Sequence, residues 1–184
     1  LETCRNQRFL TSVPAENTAG VYIGIPFCPT RCLYCSFASN QASGEAMERY
    51  LQALLTEIEA VGAKFRSLGI VPESLYVGGG TPTSLSVFAL ERLLSCAVES
   101  FDLSEVREFC VEAGRPDTIT GEKLSVMRHY GVDRVSVNPQ SMNDVTLKAI
   151  GRSHTVEEIC RKCYNGLIIR DDWLKKLGLT APMT

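Results

Sequence analysis

Four short β-prone runs separated by helical patterns constrain the fold of this 184-residue chain more than any other feature. The runs are Val21–Phe27, Ser74–Val77, Glu108–Ala113 and Arg134–Asn138, bounded by Gly, Pro or Asn. Between the first two, Met47, Tyr50, Leu51, Leu54, Leu55, Ile58, Val61 and Phe65 recur at helical spacing, and Val87, Leu90, Leu94 and Val98 do so before the third. Leu124 and Met127 mark a shorter helix with Thr120 as its N-cap. Asn143–Ile150 and Thr155–Asn165 read as two more helices, the second opened by a capping box of Thr155 and Glu158. Such alternation predicts an α/β fold with parallel strands joined by right-handed crossovers.

Two architectures satisfy that pattern, an open doubly wound sheet or part of a (β/α) barrel. Both place function at the C-terminal strand ends. Cys28, Gly78–Thr81, Glu112 and Asn138–Gln140 lie there. In the first run Tyr22, Gly24, Pro26 and Cys28 share one face, opposite Val21, Ile23, Ile25 and Phe27. In the fourth, Arg134, Ser136, Asn138 and Gln140 oppose Val135 and Val137. One apolar face for helices and one polar or small face for a lumen favour the barrel. We expect a lead-in over 1–19, a barrel core over 20–165 and an irregular tail over 166–184. A barrel fragment of four strands leaves an open edge. The expectation is therefore a chain that stops short of the complete fold, with residues also missing before Leu1.

Composition removes several classes of function. Nineteen Lys and Arg against 21 Asp and Glu leave no basic excess for nucleic-acid binding. No apolar run approaches the roughly 20 residues of a membrane span, and LETCRNQRFL has no signal-peptide architecture. Eight cysteines in a chain that is 45% apolar suit metal or redox chemistry in a reducing compartment better than a secreted disulfide scaffold. A cytoplasmic location is expected.

The strongest motif is Cys28-Pro-Thr-Arg-Cys32-Leu-Tyr-Cys35. A structural zinc site wants four protein ligands, and none is near to complete the set. A 4Fe-4S cluster with three protein thiolates leaves one iron open to a small molecule. Burial as small hydrophobes is the bland alternative, and the spacing and loop setting weigh against it. The run Gly78-Gly79-Gly80-Thr81-Pro82 allows close backbone approach to a ligand. It lacks the Gly-Lys-Ser/Thr of a phosphate loop and on its own reads equally as a tight turn.

Together these residues resemble the radical S-adenosylmethionine (SAM) superfamily. Val21-Tyr-Ile-Gly-Ile-Pro-Phe-Cys28 with Gly78–Thr83 resembles the oxygen-independent coproporphyrinogen III oxidase family. Val111-Glu-Ala-Gly-Arg-Pro-Asp117, Asn138-Pro-Gln-Ser-Met-Asn143 and Gly151-Arg152 look closest to its coproporphyrinogen dehydrogenase branch. The resemblance implies that Cys28, Cys32 and Cys35 ligate the 4Fe-4S cluster and that SAM chelates its open iron. It also implies that Tyr22 contacts SAM, that Tyr34 lies near the adenine, and that Gly79, Gly80 and Thr81 hold the methionine end. Glu112, Gln140 and Arg152 match further SAM-binding positions. No catalytic side chain is assigned. The implied reaction runs through a 5′-deoxyadenosyl radical, which abstracts hydrogen from a porphyrinogen propionate. Loss of CO2 and one electron then leaves a vinyl group. An electron donor such as flavodoxin or ferredoxin is the implied partner. Gly24 departs from the pattern, because better-known oxidases of the family carry a histidine there.

Other residues carry two readings each. Glu112, acidic within an apolar strand, calls for a ligand or an arginine partner. Arg115 either pairs with Glu112 or meets substrate carboxylates. Cys160 and Cys163 share a helix face, which favours packing over a second cluster. Cys4, Cys96 and Cys110 read as structural, His129 and His154 as surface or capping residues, and Lys64 and Arg66 as a solvated helix end. The family also contains heme chaperones with the same cysteine motif. Heme binding without turnover, or an inactive fragment, therefore stand as the alternatives to a porphyrinogen enzyme.

Overall fold

The computed structural model describes residues 17–37, 40–42 and 44–164, with the side chains of 162–164 excepted. Cys4, the Cys163 side chain and the expected tail over 166–184 lie outside the described residues. The elements in order are β1 (Thr18–Ile25), α1 (Gly44–Leu68), β2 (Val71–Gly79), α2 (Val87–Ser100), β3 (Glu108–Ala113), α3 (Gly121–His129), β4 (Arg134–Val137), α4 (Asp144–Ala149) and α5 (Val156–Tyr164). Single 3-10 turns at Pro82–Ser84 and Pro116–Thr118 follow β2 and β3.

Helices α2, α3 and α4 start where side-chain oxygens satisfy their first free N–H groups. Ser86 accepts from Ala89 N at 3.1 Å, Thr120 from Lys123 N at 3.3 Å and Asn143 from Thr146 N at 3.0 Å. At α5 the reciprocal capping box forms, with Thr155 N donating to Glu158 Oε2 at 2.8 Å and Glu158 N to Thr155 Oγ1 at 3.2 Å.

The sheet runs β1-β2-β3-β4 in sequence order, and every neighbouring pair is parallel. A consecutive order has no switch point where the strand order reverses, so right-handed crossovers put all the helices on one face. That is the barrel alternative. The covered face carries Ile23, Ile25, Leu75, Val77, Phe109 and Val111, all buried. They pack against Leu51, Leu54, Leu55 and Ile58 of α1 and Leu90, Leu93, Leu94 and Ala97 of α2. The register aligns Tyr22 with Tyr76, Tyr76 with Cys110 and Cys110 with Arg134 across the uncovered face.

The strand bounds differ from those expected in β1, in β2, which runs Val71–Gly79, and in β4, which ends at Val137. β1 begins at Thr18 and ends at Ile25; Phe27 makes only an isolated parallel bridge with Asn40. β2 begins at Val71, with Pro72 inside it. Proline cannot donate to a ladder and reads as a boundary in sequence. Here Pro72 pairs opposite Ala19, where the register shifts between Ala19 and Gly20.

Helix α1 meets α2 at Gly62, which is buried. A Cβ there would stand 2.8 Å from Ser100 Cβ, and the backbone carbonyl of Ser100 is nearer still. At an open helix position Gly→Ala gains about 1 kcal/mol. At Gly62 the crowding is against backbone, which cannot rotate away, so Gly62→Ala is expected to destabilise by about 1–3 kcal/mol. A lower urea midpoint with an unchanged m-value would show this; a raised midpoint would contradict the packing.

Candidate functional site

The cysteine loop leaves β1 at Ile25 and lies beside the glycine run that leaves β2. Gly79 takes φ +112°, and a Cβ on it would be 2.7 Å from Ile25 O. Glycine is therefore required both for its backbone angle and for its closeness. Gly80 N donates to Ile25 O at 2.7 Å. A Cβ on Gly80 would reach 3.0 Å from Cys28 Sγ. Thr81 is buried and its hydroxyl lies 3.3 Å from Cys28 Sγ. So Cys28 of one motif is brought against Gly80 and Thr81 of the other.

Cys28, Cys32 and Cys35 are free and partly exposed. Cys35 N donates to Cys32 O at 3.1 Å, which closes a tight turn between them. The loop is tied to α4 by Leu33 N donating to Ile150 O at 3.2 Å. Among the described residues no three Cys, His, Asp or Glu side chains meet at one point where a single ion would sit. A 4Fe-4S cluster asks for something else, because each thiolate takes its own iron. Three unpaired thiols spread along one loop suit that demand better than they suit one ion.

The uncovered sheet face supplies the wall. Tyr22 stacks on Tyr76, with ring centroids 5.8 Å apart and planes at 11°. Partial burial, then the charge of Glu112, push both hydroxyls above their ordinary range. The two tyrosines thus stay protonated donors at neutral pH. Tyr76 was not singled out from the sequence, although the same alternation that gives Tyr22 places it on this face. Glu112 does not find an arginine. Its Oε1 accepts from Asn138 Nδ2 at 3.0 Å, and its Oε2 would be 3.1 Å from a Cβ on Gly78. Cys110, deeper on the same face, is buried and its thiol is pushed up to about 11, chiefly by burial. It is an inert protonated group, as expected of a structural cysteine.

Arg152 donates to Gly114 O and to Tyr34 OH, both at 3.1 Å. Its Nε is buried without a hydrogen-bond partner. Tyr34 is otherwise half exposed. Gln140 follows β4 at φ +65°, exposed at the rim. Cys160 is free and half-buried on α5.

Arg115 corrects both readings made for it, since it neither pairs with Glu112 nor faces an open site. It is 2% exposed. It grips Asp117 through Nε to Oδ1 at 3.2 Å and Nη2 to Oδ2 at 3.3 Å. Its Nη1 reaches Thr30 Oγ1 at 2.8 Å and Cys32 Sγ at 3.8 Å, and its Nη2 reaches Ser153 Oγ at 3.2 Å. These partners lie far apart in sequence, and no local pattern announces them. His154 is likewise buried and not a surface residue, with Nε2 3.3 Å from Pro139 O and Nδ1 4.0 Å from Asp117 Oδ1. A carbonyl only accepts, so Nε2 carries the proton and Nδ1 is left without a partner. His129 is exposed, as expected. Arg66 is not simply solvated, because its guanidinium donates to Ser100 O.

Burial holds His154 below its ordinary value of 6.5, with Arg152 and Arg115 adding to the effect against Pro139 and Asp117. The unfolded chain therefore takes a proton at a pH where the folded one does not, and stability falls as pH drops through and below 6.5. Asp117 behaves differently. Burial alone would raise its carboxyl, but Arg115 and Ser153 outweigh that and hold it low, so its contribution is lost only in stronger acid. His154→Gln is expected to flatten the loss of melting temperature between about pH 7 and 5.5. An unchanged slope there would place the titration elsewhere.

Three comparisons bear on this geometry. A model of the radical SAM superfamily matches residues 22–165. The oxygen-independent coproporphyrinogen-III oxidase-like protein HemZ of Bacillus subtilis is 45% identical over 162 residues, which cover 84% of this chain and 32% of that protein. The heme chaperone HemW of Lactococcus lactis is 38% identical over 139 residues, covering 75% of this chain and 35% of that one. Among solved structures, coproporphyrinogen III oxidase (HemN) from Escherichia coli, described as a radical SAM enzyme, superposes with a TM-score of 0.70 at 28% identity over 84% of this chain and 36% of its own. The chain spans about a third of the length of the curated relatives it matches.

Proposed function

Because the chain belongs to the radical SAM superfamily, whose cofactors are a 4Fe-4S cluster and SAM, we propose that it holds both at the C-terminal strand ends for oxygen-independent decarboxylation of a porphyrinogen. The observation that carries this reading is the contact of Cys28 with Gly80 and Thr81, which joins a three-thiol loop to a close-approach backbone edge. When bound, the two cofactors supply hydrogen-atom abstraction, which protein side chains alone lack.

In this reading Cys28, Cys32 and Cys35 are the cluster ligands. Gly79 and Gly80 let the end of β2 close on β1 and the cysteine loop, and their backbone edge is assigned to the methionine end of SAM, while Thr81 steadies Cys28 from behind. Asn138 holds one oxygen of Glu112 and orients the other towards the lumen as an acceptor. The unpartnered Nε of Arg152 supports a role in receiving an anionic or polar group of SAM, with Tyr34 fixed beside it. The Tyr22–Tyr76 stack offers a flat apolar face with two hydroxyl donors. Gln140 at the rim completes the set. No described helix is long and apolar enough to cross a membrane. The natural reductant is taken to be a low-potential one-electron carrier of the flavodoxin or ferredoxin kind.

The second reading is a heme chaperone, favoured by the likeness to proteins so named. Anaerobically reconstituted, reduced protein is expected to give a cluster electron paramagnetic resonance signal that SAM perturbs and that Cys32→Ala abolishes. Incubation with SAM and coproporphyrinogen III then separates the readings. Release of 5′-deoxyadenosine and CO2 supports the enzyme, whereas no vinyl product there, with stable absorbance of heme added in a parallel incubation, supports the chaperone. A signal blind to SAM would sink the SAM assignment, and no signal at all would sink the cluster with it.

A further inference from the structure

Arg115 is a charge placed where apolar packing would cost less. Burying a guanidinium carries a desolvation penalty of several kcal/mol unless its donors are met. Here they are. Asp117 takes two, Ser153 takes one, and the two hydrogens of Nη1 face Thr30 O, Thr30 Oγ1 and Cys32 Sγ. The fork thus spans from the turn after β3 to both the cysteine loop and the segment before α5. Of the three loop cysteines, Cys32 is the one this cation addresses.

We propose that Arg115 is a positioning residue for the cluster, holding the Cys32 sulfur by a charge-assisted N–H···S hydrogen bond and raising the cluster's reduction potential, with Asp117 as the counter-charge that moderates it. This rests on the reading of Cys28, Cys32 and Cys35 as cluster ligands. Reduction adds one electron, taken from a low-potential one-electron donor, and breaks no bond. A ligand thiolate on the reduced centre carries more negative charge, so a fixed cation beside it favours the reduced form. A merely structural tether would hold the loop equally well in either redox state. The two acid–base partners also make opposite predictions: removing the cation lowers the potential, and removing its counter-charge raises it.

The test is a mediated redox titration of the reconstituted protein, followed by electron paramagnetic resonance, on wild type, Arg115→Gln, Arg115→Lys and Asp117→Asn, with iron content as a control. Arg115→Gln is expected to disfavour the reduced state about tenfold or more, a move of about 59 mV to more negative potential for one electron. Arg115→Lys keeps the charge and should stay near wild type. Asp117→Asn should move the potential the other way. If Arg115→Gln fails to take up iron, an unmoved potential in Arg115→Lys beside a raised one in Asp117→Asn still decides the matter. Potentials that do not move, or that move in one direction for the Gln and Asn variants, overturn the proposal while leaving the cluster intact. A wild-type chain that takes up no cluster overturns it together with the cofactor reading.

Discussion

The approach of β2's end to β1's end is the contact on which the remaining geometry hangs. Gly80 N reaches Ile25 O at 2.7 Å, and neither Gly79 nor Gly80 has room for a Cβ. Parallel strands cannot turn back on each other through a short hairpin, so their C-terminal ends finish side by side and open. The segment after each strand is therefore delivered to one edge. The cysteine loop leaves β1, the glycine edge leaves β2, the Arg115 turn leaves β3 and Gln140 comes after β4. Close packing at the first pair seats Cys28 against Thr81, and that seating sets where the rest of the loop lies.

The two faces of the sheet do different work because their chemistry differs by alternation alone. Ile23, Ile25, Leu75, Val77 and Val111 are buried under α1 and α2 and supply the apolar burial that holds the sheet. Tyr22, Tyr76, Gly78, Glu112 and Asn138 stand on the other face, where no described helix covers them. Glu112 is tolerated there because Asn138 meets one of its oxygens. Below this level the sheet closes itself off, with Arg134 paired to Glu108 at 2.7 Å and the Cys110 thiol kept neutral by burial.

Beneath the cysteine loop sits a second layer of polar chemistry, made of Arg115, Asp117, Ser153 and His154. Buried polar groups rigidify when all are met and signal a missing partner when one is not. Arg115 is met on every side. His154 Nδ1 and Arg152 Nε are not, and both lie on the segment after α4 that folds back over the strand ends. The contrast separates a finished support from groups still open to a ligand or to water.

Strand–helix alternation, the side-chain faces, the capped helix starts at Thr120 and Thr155 and the three-thiol loop were all legible in the sequence, because each depends on residues within a few positions of one another. Tyr76 was legible too by the same alternation, although it drew no notice beside the glycine run. The start of β2 was hidden by Pro72, whose place in a ladder depends on a register shift in its neighbour. The partners of Arg115, Glu112 and His154 were beyond local reading. Thr30 and Cys32 lie on the loop after β1, Ser153 comes after α4, and only the parallel crossovers bring them to one guanidinium. The sequence by itself determined the fold class and the kind of donor set this chain carries, since periodicity and spacing are local properties. Which charge meets which sulfur was decided by tertiary structure, because a buried ion settles on whatever acceptors the packed strand ends place within its reach.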